Sequence, residues 1–141
     1  MANYPVSVFH FMVKIDGLPE MKFSEVSGLT QERQAIEYRD GSMKPTDLPL
    51  RRPGLAKASN VTLKRGITKT NDFYEWFNNA DIQRKNVTIQ LLNDIGEPVL
   101  RWDLINAWPI KLEGPSLKAT GNDIAIESME LVHESIIVKL P

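Results

Sequence analysis

"IEYRDGSMKPTDLPLRRPGLAKASNVTLKRGI", residues 36–67, decides how this chain is read. Ile36-Glu37-Tyr38 closes one apolar/polar alternation, and Val61-Thr62-Leu63 opens another. Period two marks a strand with one apolar face. About twenty residues separate them, with three prolines, two glycines and five positive charges. Hairpins need only roughly two to five loop residues, and a structureless connection this long is uncommon in a compact domain. Asp40 to Ala58 is therefore expected to be an extended loop that leaves the domain and grips another protein. On this reading it is poorly ordered in the free subunit and fixed on assembly.

The flanking sequence reads mostly as strands. Phe9, Phe11, Val13 and Ile15 alternate with His10, Met12, Lys14 and Asp16. After the turn Asp16-Gly17-Leu18-Pro19-Glu20, a weaker strand runs from Met21 to Leu29, with a bulge or close backbone approach expected at Ser27-Gly28. Thr30 to Tyr38 continues extended, with polar residues on both faces until Ile36 and Tyr38. Val61 to Gly66 is the next strand.

One helix is expected over Thr70 to Ala80, capped by Thr70 or Asn71. Phe73, Trp76, Phe77 and Ala80 form one apolar stripe at i, i+3, i+4 and i+7. So short a helix is not stable alone and must lie on a sheet.

Val87 to Leu91 and Leu100 to Leu104 then form a hairpin around Asn93 to Pro98, and Trp108-Pro109 is expected to break or bend the chain. Ile110 and Leu112 resume the alternation. Gly114-Pro115 and Gly121-Asn122-Asp123 read as turns. Ile124 to Val138 reads as one long last strand with a bulge near Glu127 or Ser135. The sum is a mainly β domain over residues 1–141. It is a small barrel or sandwich of two sheets with one flanking helix and a long extended loop between strands.

Composition removes several classes of function. The chain has 141 residues, no cysteine, and a net charge of −1 from 17 basic and 18 acidic side chains. Disulfides, thiolate metal sites and cysteine nucleophiles are excluded, and nothing electrostatic argues for nucleic acid or an anionic membrane. No apolar run approaches the roughly twenty residues of a membrane span, so the monomer is not expected to insert. Met1 to Pro5 lacks the basic start and apolar stretch of a secretion signal. His10 and His133 have no ligand-like spacing, no serine sits in a nucleophile elbow, and no phosphate loop is present. No cofactor, metal or catalysis is expected. Arg51 and Arg52, with Lys44 and Lys57, could suggest an anion site. However, Asp40 and Asp47 dilute the charge, and residues 39–58 contain no aromatic side chain on which bases could stack. A protein contact fits better.

What remains is backbone. Long strands in a small domain either close on themselves or leave edges that pair with another chain. Polar residues on both faces near 31–39 suit a strand whose second face looks at water in a broad channel.

Several stretches together then point to a family. They are Tyr-Pro-Val-Ser-Val-Phe-His-Phe at 4–11, Phe-Ser-Glu-Val-Ser-Gly-Leu at 23–29, Ile-Glu-Tyr-Arg-Asp-Gly at 36–41 and Pro-Gly at 53–54. Val-Thr-Leu-Lys-Arg-Gly at 61–66, Phe-Tyr-Glu-Trp-Phe at 73–77, Trp-Asp-Leu-Ile-Asn-Ala-Trp-Pro at 102–109 and Ile-Glu-Ser-Met-Glu-Leu-Val-His-Glu at 126–134 follow. The combination, over nearly the whole chain, resembles the inner tail tube proteins of contractile-tailed phages and phage-tail-like contractile injection systems.

The resemblance implies a structural subunit made in the cytoplasm and assembled into a phage tail or an extracellular injection particle, with the runs at 4–11 and 102–109 favouring the particle. Six copies form a ring, and rings stack into a hollow tube inside a sheath. Baseplate, hub and spike proteins are implied partners, and DNA or toxin passes through the lumen. Asp40, Lys44, Asp47, Arg51, Arg52 and Lys57 are the expected inter-ring contacts, with Met1 to Pro5 and Lys139 to Pro141 as secondary ones. Arg33, Glu37, Thr62, Lys64, Lys111, Glu113, Ser128 and Glu130 are the expected lumen lining. Two other functions compete: a tube-initiating or hub-adaptor ring of the same particle, and a β-sandwich ligand-binding module.

Overall fold

The computed structural model describes residues 10–46, 48–121 and 124–141. Its strands are β1 (His10–Ile15), β2 (Glu25–Ser27), β3 (Gln31–Tyr38), β4 (Leu50–Ala58), β5 (Val61–Gly66), β6 (Lys85–Leu92), β7 (Pro98–Glu113), β8 (Ile126–Val132) and β9 (Ser135–Lys139), and the helix α1 is Asp72–Asn78. Among the described residues there are two sheets. One has seven strands in the order β1-β6-β7-β8-β5-β2, with β9 also paired to β7, and the other is the β3-β4 ribbon.

The large sheet folds over on β7. The first half of β7 pairs with β6 and β9, through Trp102↔Ile89 and Trp102↔Val138. Its second half pairs with β8, through Leu112↔Met129. The fold-over is at Asn106, whose φ of 52° is positive without being glycine. Such a backbone persists only where its surroundings fix it. Here Asn106 N–H donates to Asn86 Oδ1 (3.0 Å), and its side-chain amide donates to Glu134 Oε2 (2.9 Å). Glu134 N–H donates to the carbonyl of Ile105 at 2.9 Å. The expected break at Trp108-Pro109 is thus a bend two residues earlier, and β7 runs on through both residues with a register shift between Pro109 and Lys111. The same corner divides the expected last strand into β8 and β9 at His133-Glu134, close to the phase shift at Ser135.

Folding over brings two apolar faces together. Val13, Ile15, Val87, Ile89 and Leu104 of one layer join Val61, Leu63, Met129 and Leu131 of the other in a single buried cluster. Each such side chain stabilises the fold by roughly 1.5–3 kcal/mol relative to exposure.

The helix closes one end. Phe73 and Trp76 are buried and Phe77 is half-buried, as their stripe predicts. Phe73 stacks on Phe23 at 5.7 Å, and Trp76 Nε1 donates to the carbonyl of Gln83 at 2.8 Å. The helix is shorter than expected, so Ala80, the fourth position of the stripe, lies beyond it and is exposed. Asn71 is its N-cap but makes no side-chain capping bond, and Thr70 instead meets Arg65.

Beneath the helix lies the one buried ion pair described. Arg65 and Glu127 are cross-strand partners on β5 and β8, 4% and 2% exposed, joined at 2.6 Å. The guanidinium lies 3.8 Å from the Phe73 ring centroid and also meets Met21 Sδ. Burial raises the Tyr74 phenol above its ordinary value, with the Glu127 carboxylate adding to the effect.

The expected long loop is shorter than it reads. Residues 50–58 are strand β4, paired along β3 from Gln31↔Ala58 to Tyr38↔Leu50. Only residues 39–49 connect the two. Gly28, after β2, is where the chain leaves the body. Its φ is +89°, and an added Cβ would lie 2.1 Å from the carbonyl oxygen of Asn60. The close approach expected at Ser27-Gly28 is therefore real.

Two stability measurements test this account. Glu127→Gln leaves Arg65 buried without its counter-charge and should cost about 3–5 kcal/mol in urea unfolding. Arg65→Met with Glu127→Leu should recover most of that loss, and equal losses in both proteins would disprove the argument. Gly28→Ala combines a positive φ with a backbone clash and should cost at least about 2 kcal/mol. An unchanged thermal midpoint would contradict it.

Candidate assembly surfaces

The solvent side of the β2-β5-β8-β7 layer is a polar patch fixed by strand register. One row across four strands is Glu25, Lys64, Ser128 and Glu113, and the next is Ser27, Thr62, Glu130 and Lys111. Six of the eight residues expected to line a lumen (Thr62, Lys64, Lys111, Glu113, Ser128 and Glu130) therefore share one face. The rows are tied by Lys64–Glu25 at 3.3 Å, Lys111–Glu113 at 3.2 Å and Ser128 Oγ donating to Glu113 at 3.3 Å. Three carboxylates stand against two ammonium groups. Such exposed pairs hold little energy each. The hydrogen bond from Lys111, its charge and the Ser128 hydroxyl together keep the Glu113 carboxyl below its ordinary value.

Arg33 and Glu37 are not brought into this patch. Both lie on β3, where Arg33 Nη1 donates to the Gly54 carbonyl at 2.9 Å and Glu37 pairs with Arg51 at 3.3 Å. Glu25 and Ser27 complete the patch and were missed. Their strand is only three residues long, too short for a periodic signal.

The β3-β4 ribbon carries the residues expected to contact another ring. Every residue of β3 is exposed, and within β4 only Gly54 is buried and Ala58 intermediate. Asp40 caps the connecting turn, accepting from Ser42 N–H at 2.8 Å and Ser42 Oγ at 2.9 Å, and these bonds hold its carboxyl below the ordinary value. Lys44 follows in the turn, and Arg51, Arg52 and Lys57 lie opposite Glu37, Ile36 and Glu32. Asp47 and Met1 to Pro5 lie outside the described residues. Leu48, Leu50 and Leu55 are 84%, 59% and 89% exposed. Gly54 is required where the strands close up, because a Cβ there would lie 2.8 Å from the Gln34 carbonyl oxygen.

Among the described residues no group of three or more His, Asp or Glu could hold a metal, and no helix is long and apolar enough to cross a membrane. His10 lies exposed on β1, and His133 sits at the β8-β9 corner, donating from Nε2 to the Ser59 carbonyl at 2.9 Å.

A family model described as T4-like virus tail tube protein gp19 matches residues 7–137. The chain belongs to this tail tube family. The tube protein is similar to a chain of the extracellular contractile injection system PVC, from its sheath-tube complex in the extended state, with 33% identity and a TM-score of 0.86 over 98% of this chain and 93% of that one. It is similar also to a chain of the anti-feeding prophage tube-terminating cap, with 32% identity and a TM-score of 0.88 over 100% and 95%. Hcp1 from Flavobacterium johnsoniae, at 14% identity and a TM-score of 0.64 over 94% and 97%, shares the fold. No curated protein matches. The tube protein is thus a structural tube subunit of a contractile tail or extracellular contractile injection particle.

The Glu113–Lys111 pair offers a direct test of the patch. A carboxyl with a lowered value supports the fold above its unfolded value and loses that support as pH falls through the lowered one. Lys111→Ala should therefore move the Glu113 titration, followed by NMR, back up towards the ordinary value. An unmoved titration would show that Lys111 does not touch it.

Proposed function

We propose that this tube protein is the main, repeating subunit, that six copies close into a ring, and that rings stack through the β3-β4 ribbon. The observation that carries this reading is the ribbon itself. An isolated two-stranded ribbon is marginal in water. This one is exposed along both strands and presents three exposed leucines to solvent. A neighbouring copy is the natural cover.

The ring requires a head-to-tail contact whose rotation closes, and the stack requires a second, different contact. The outer edges of β1, β2 and β9 serve the first role, because edge pairing would use the backbone groups left over beside the Val13–Met21 bridge on β1 and the Gln31 bond to Ile136 on β9. The polar patch on the β2-β5-β8-β7 layer lines the lumen, extended by Arg33 and Glu37. Its mixed charge lets DNA or protein cargo pass without tight binding. The subunit performs no catalysis. The sheath, the cap and the baseplate with its hub and spike are its partners. The relatives that come from a sheath-tube complex and a tube-terminating cap support the sheath and the cap.

The test is negative-stain microscopy of the purified protein beside a variant in which residues 38–50 are replaced by Asn-Gly, joining the paired residues Glu37 and Arg51. Wild-type protein should give rings and long tubes of one diameter. The variant should keep the fold and lose at least about tenfold in tube length. Variant tubes of normal length would refute the ribbon's role. Wild-type assembly that stops at one ring would instead identify a tube-initiating subunit.

A further inference from the structure

The β3-β4 ribbon has little apolar packing to aim it. Every residue of β3 is exposed, and of β4 only Gly54 and Ala58 are not. A cleft of about 310 Å³ lies at its base, bordered by Gln31, Arg33 and Lys57 on the ribbon and by Glu134 and Ser135 at the β8-β9 corner. Two side-chain hydrogen bonds join these two sides. Gln31 Nε2, at the start of β3, donates to the Ile136 carbonyl at 3.0 Å. His133 Nε2 donates to the carbonyl of Ser59, just past the end of β4, at 2.9 Å. Gln31 and Ala58 are cross-strand partners, so the two bonds tie opposite strands of the ribbon at one level. Ser59 N–H donates to the Thr30 carbonyl at 3.2 Å and holds the strands together there. Because Ser59 offers His133 a carbonyl, the ring proton is on Nε2. Nδ1 is then bare, and it is buried without a partner.

We propose that His133, together with Gln31, is a positioning residue that aims the ribbon in the free subunit, before any neighbour is met. Its role in assembly rests on the reading of the ribbon as the stacking element. A ribbon held by its two backbone connections alone can swing, and the freedom it loses on docking opposes the contact. Tied at both strands, it loses less. The paired strands of the ribbon are then set before assembly, unlike an arm that orders only in the tube. The tie is also made to a corner that is itself fixed. Glu134, next to His133, accepts from the Asn106 amide at 2.9 Å and pairs with Arg84. Arg84 in turn lies over the Trp108 ring, 4.6 Å from its centroid. The direction of the ribbon is thus referred to the corner that sets the angle between the layers. A subunit whose layers have met correctly also points its ribbon correctly.

The chain has no cysteine, so a spin-label pair can be placed cleanly at Arg52→Cys on β4 and Lys14→Cys on β1, both exposed. Pulsed electron spin resonance on the dilute, unassembled protein then reads the distance from ribbon to body. Three backgrounds are compared: His133 retained, His133→Gln, and His133→Phe with Gln31→Leu. Glutamine can donate from the place of Nε2, whereas phenylalanine and leucine keep bulk and donate nothing. The first two should give one narrow distance, and the third a distribution at least about twice as wide. If the double variant does not fold, His133→Phe alone should widen the distribution in the same way. Without labels, wild-type protein and His133→Gln should give long tubes in negative stain, and His133→Phe/Gln31→Leu tubes at least about tenfold shorter. A narrow distance without the two donors, a broad one in the wild type, or His133→Gln behaving as His133→Phe would overturn the proposal. Long tubes from a variant with a broad distance would overturn its link to stacking. Wild-type protein with a narrow distance and no tubes would defeat the stacking reading alone, because the distance needs no assembly.

Discussion

Both layers hang on the sixteen residues of β7. A strand has two hydrogen-bonding edges, and β7 spends one on β6 and divides the other between β9 and β8. That division is possible only because the strand turns at Asn106, which therefore sets the angle between the layers. The core, the polar patch and the positions of the free edges all follow from that angle. The amide of Asn106, Asn86 and Glu134 are not decoration around it. They hold a residue other than glycine in a backbone region it would otherwise leave.

The buried pair Arg65–Glu127 plays a different part. Two isolated charges in an apolar interior would be ruinous, and two paired ones are close to neutral in stability. What the pair adds is register. Arg65 meets Glu127 only if β5 and β8 align as they do, and a slip of one residue in either strand would turn its polar-patch side chains into the core. The ring of Phe73 over the guanidinium extends the same requirement to the helix. Alignment of the strands and seating of the helix are thus checked by one contact.

Much of this was legible before any coordinates. Alternation found β1, β5, β6 and β7, and from it Thr62, Lys64, Ser128 and Glu130. The stripe of Phe73, Trp76 and Phe77 found the helix. Strand β4 was hidden for a physical reason. Alternation records one wet and one dry face, and a ribbon wet on both sides has none. Pro53, Arg51-Arg52 and Lys57 therefore read as loop, although Pro53 suits an edge strand. The tie at the ribbon's base was hidden for another reason. Gln31, Ser59 and His133 are single polar residues far apart in the chain, and only the fold places them side by side. Nor could spacing show that β7 belongs to two layers, since the turn at Asn106 is written in a backbone angle and not in a pattern of hydrophobicity.

The β3-β4 ribbon projects from one side of the body, rooted where Gly28 passes close to Asn60 and where Gln31 Nε2 donates to the Ile136 carbonyl at 3.0 Å. A column built from units with a one-sided projection has unlike ends. If rings stack through that projection, as proposed, one terminus displays ribbons in want of a seat, and the other displays seats in want of ribbons. Such a filament carries a direction from its first layer onward, so whatever starts it and whatever stops it must be different proteins.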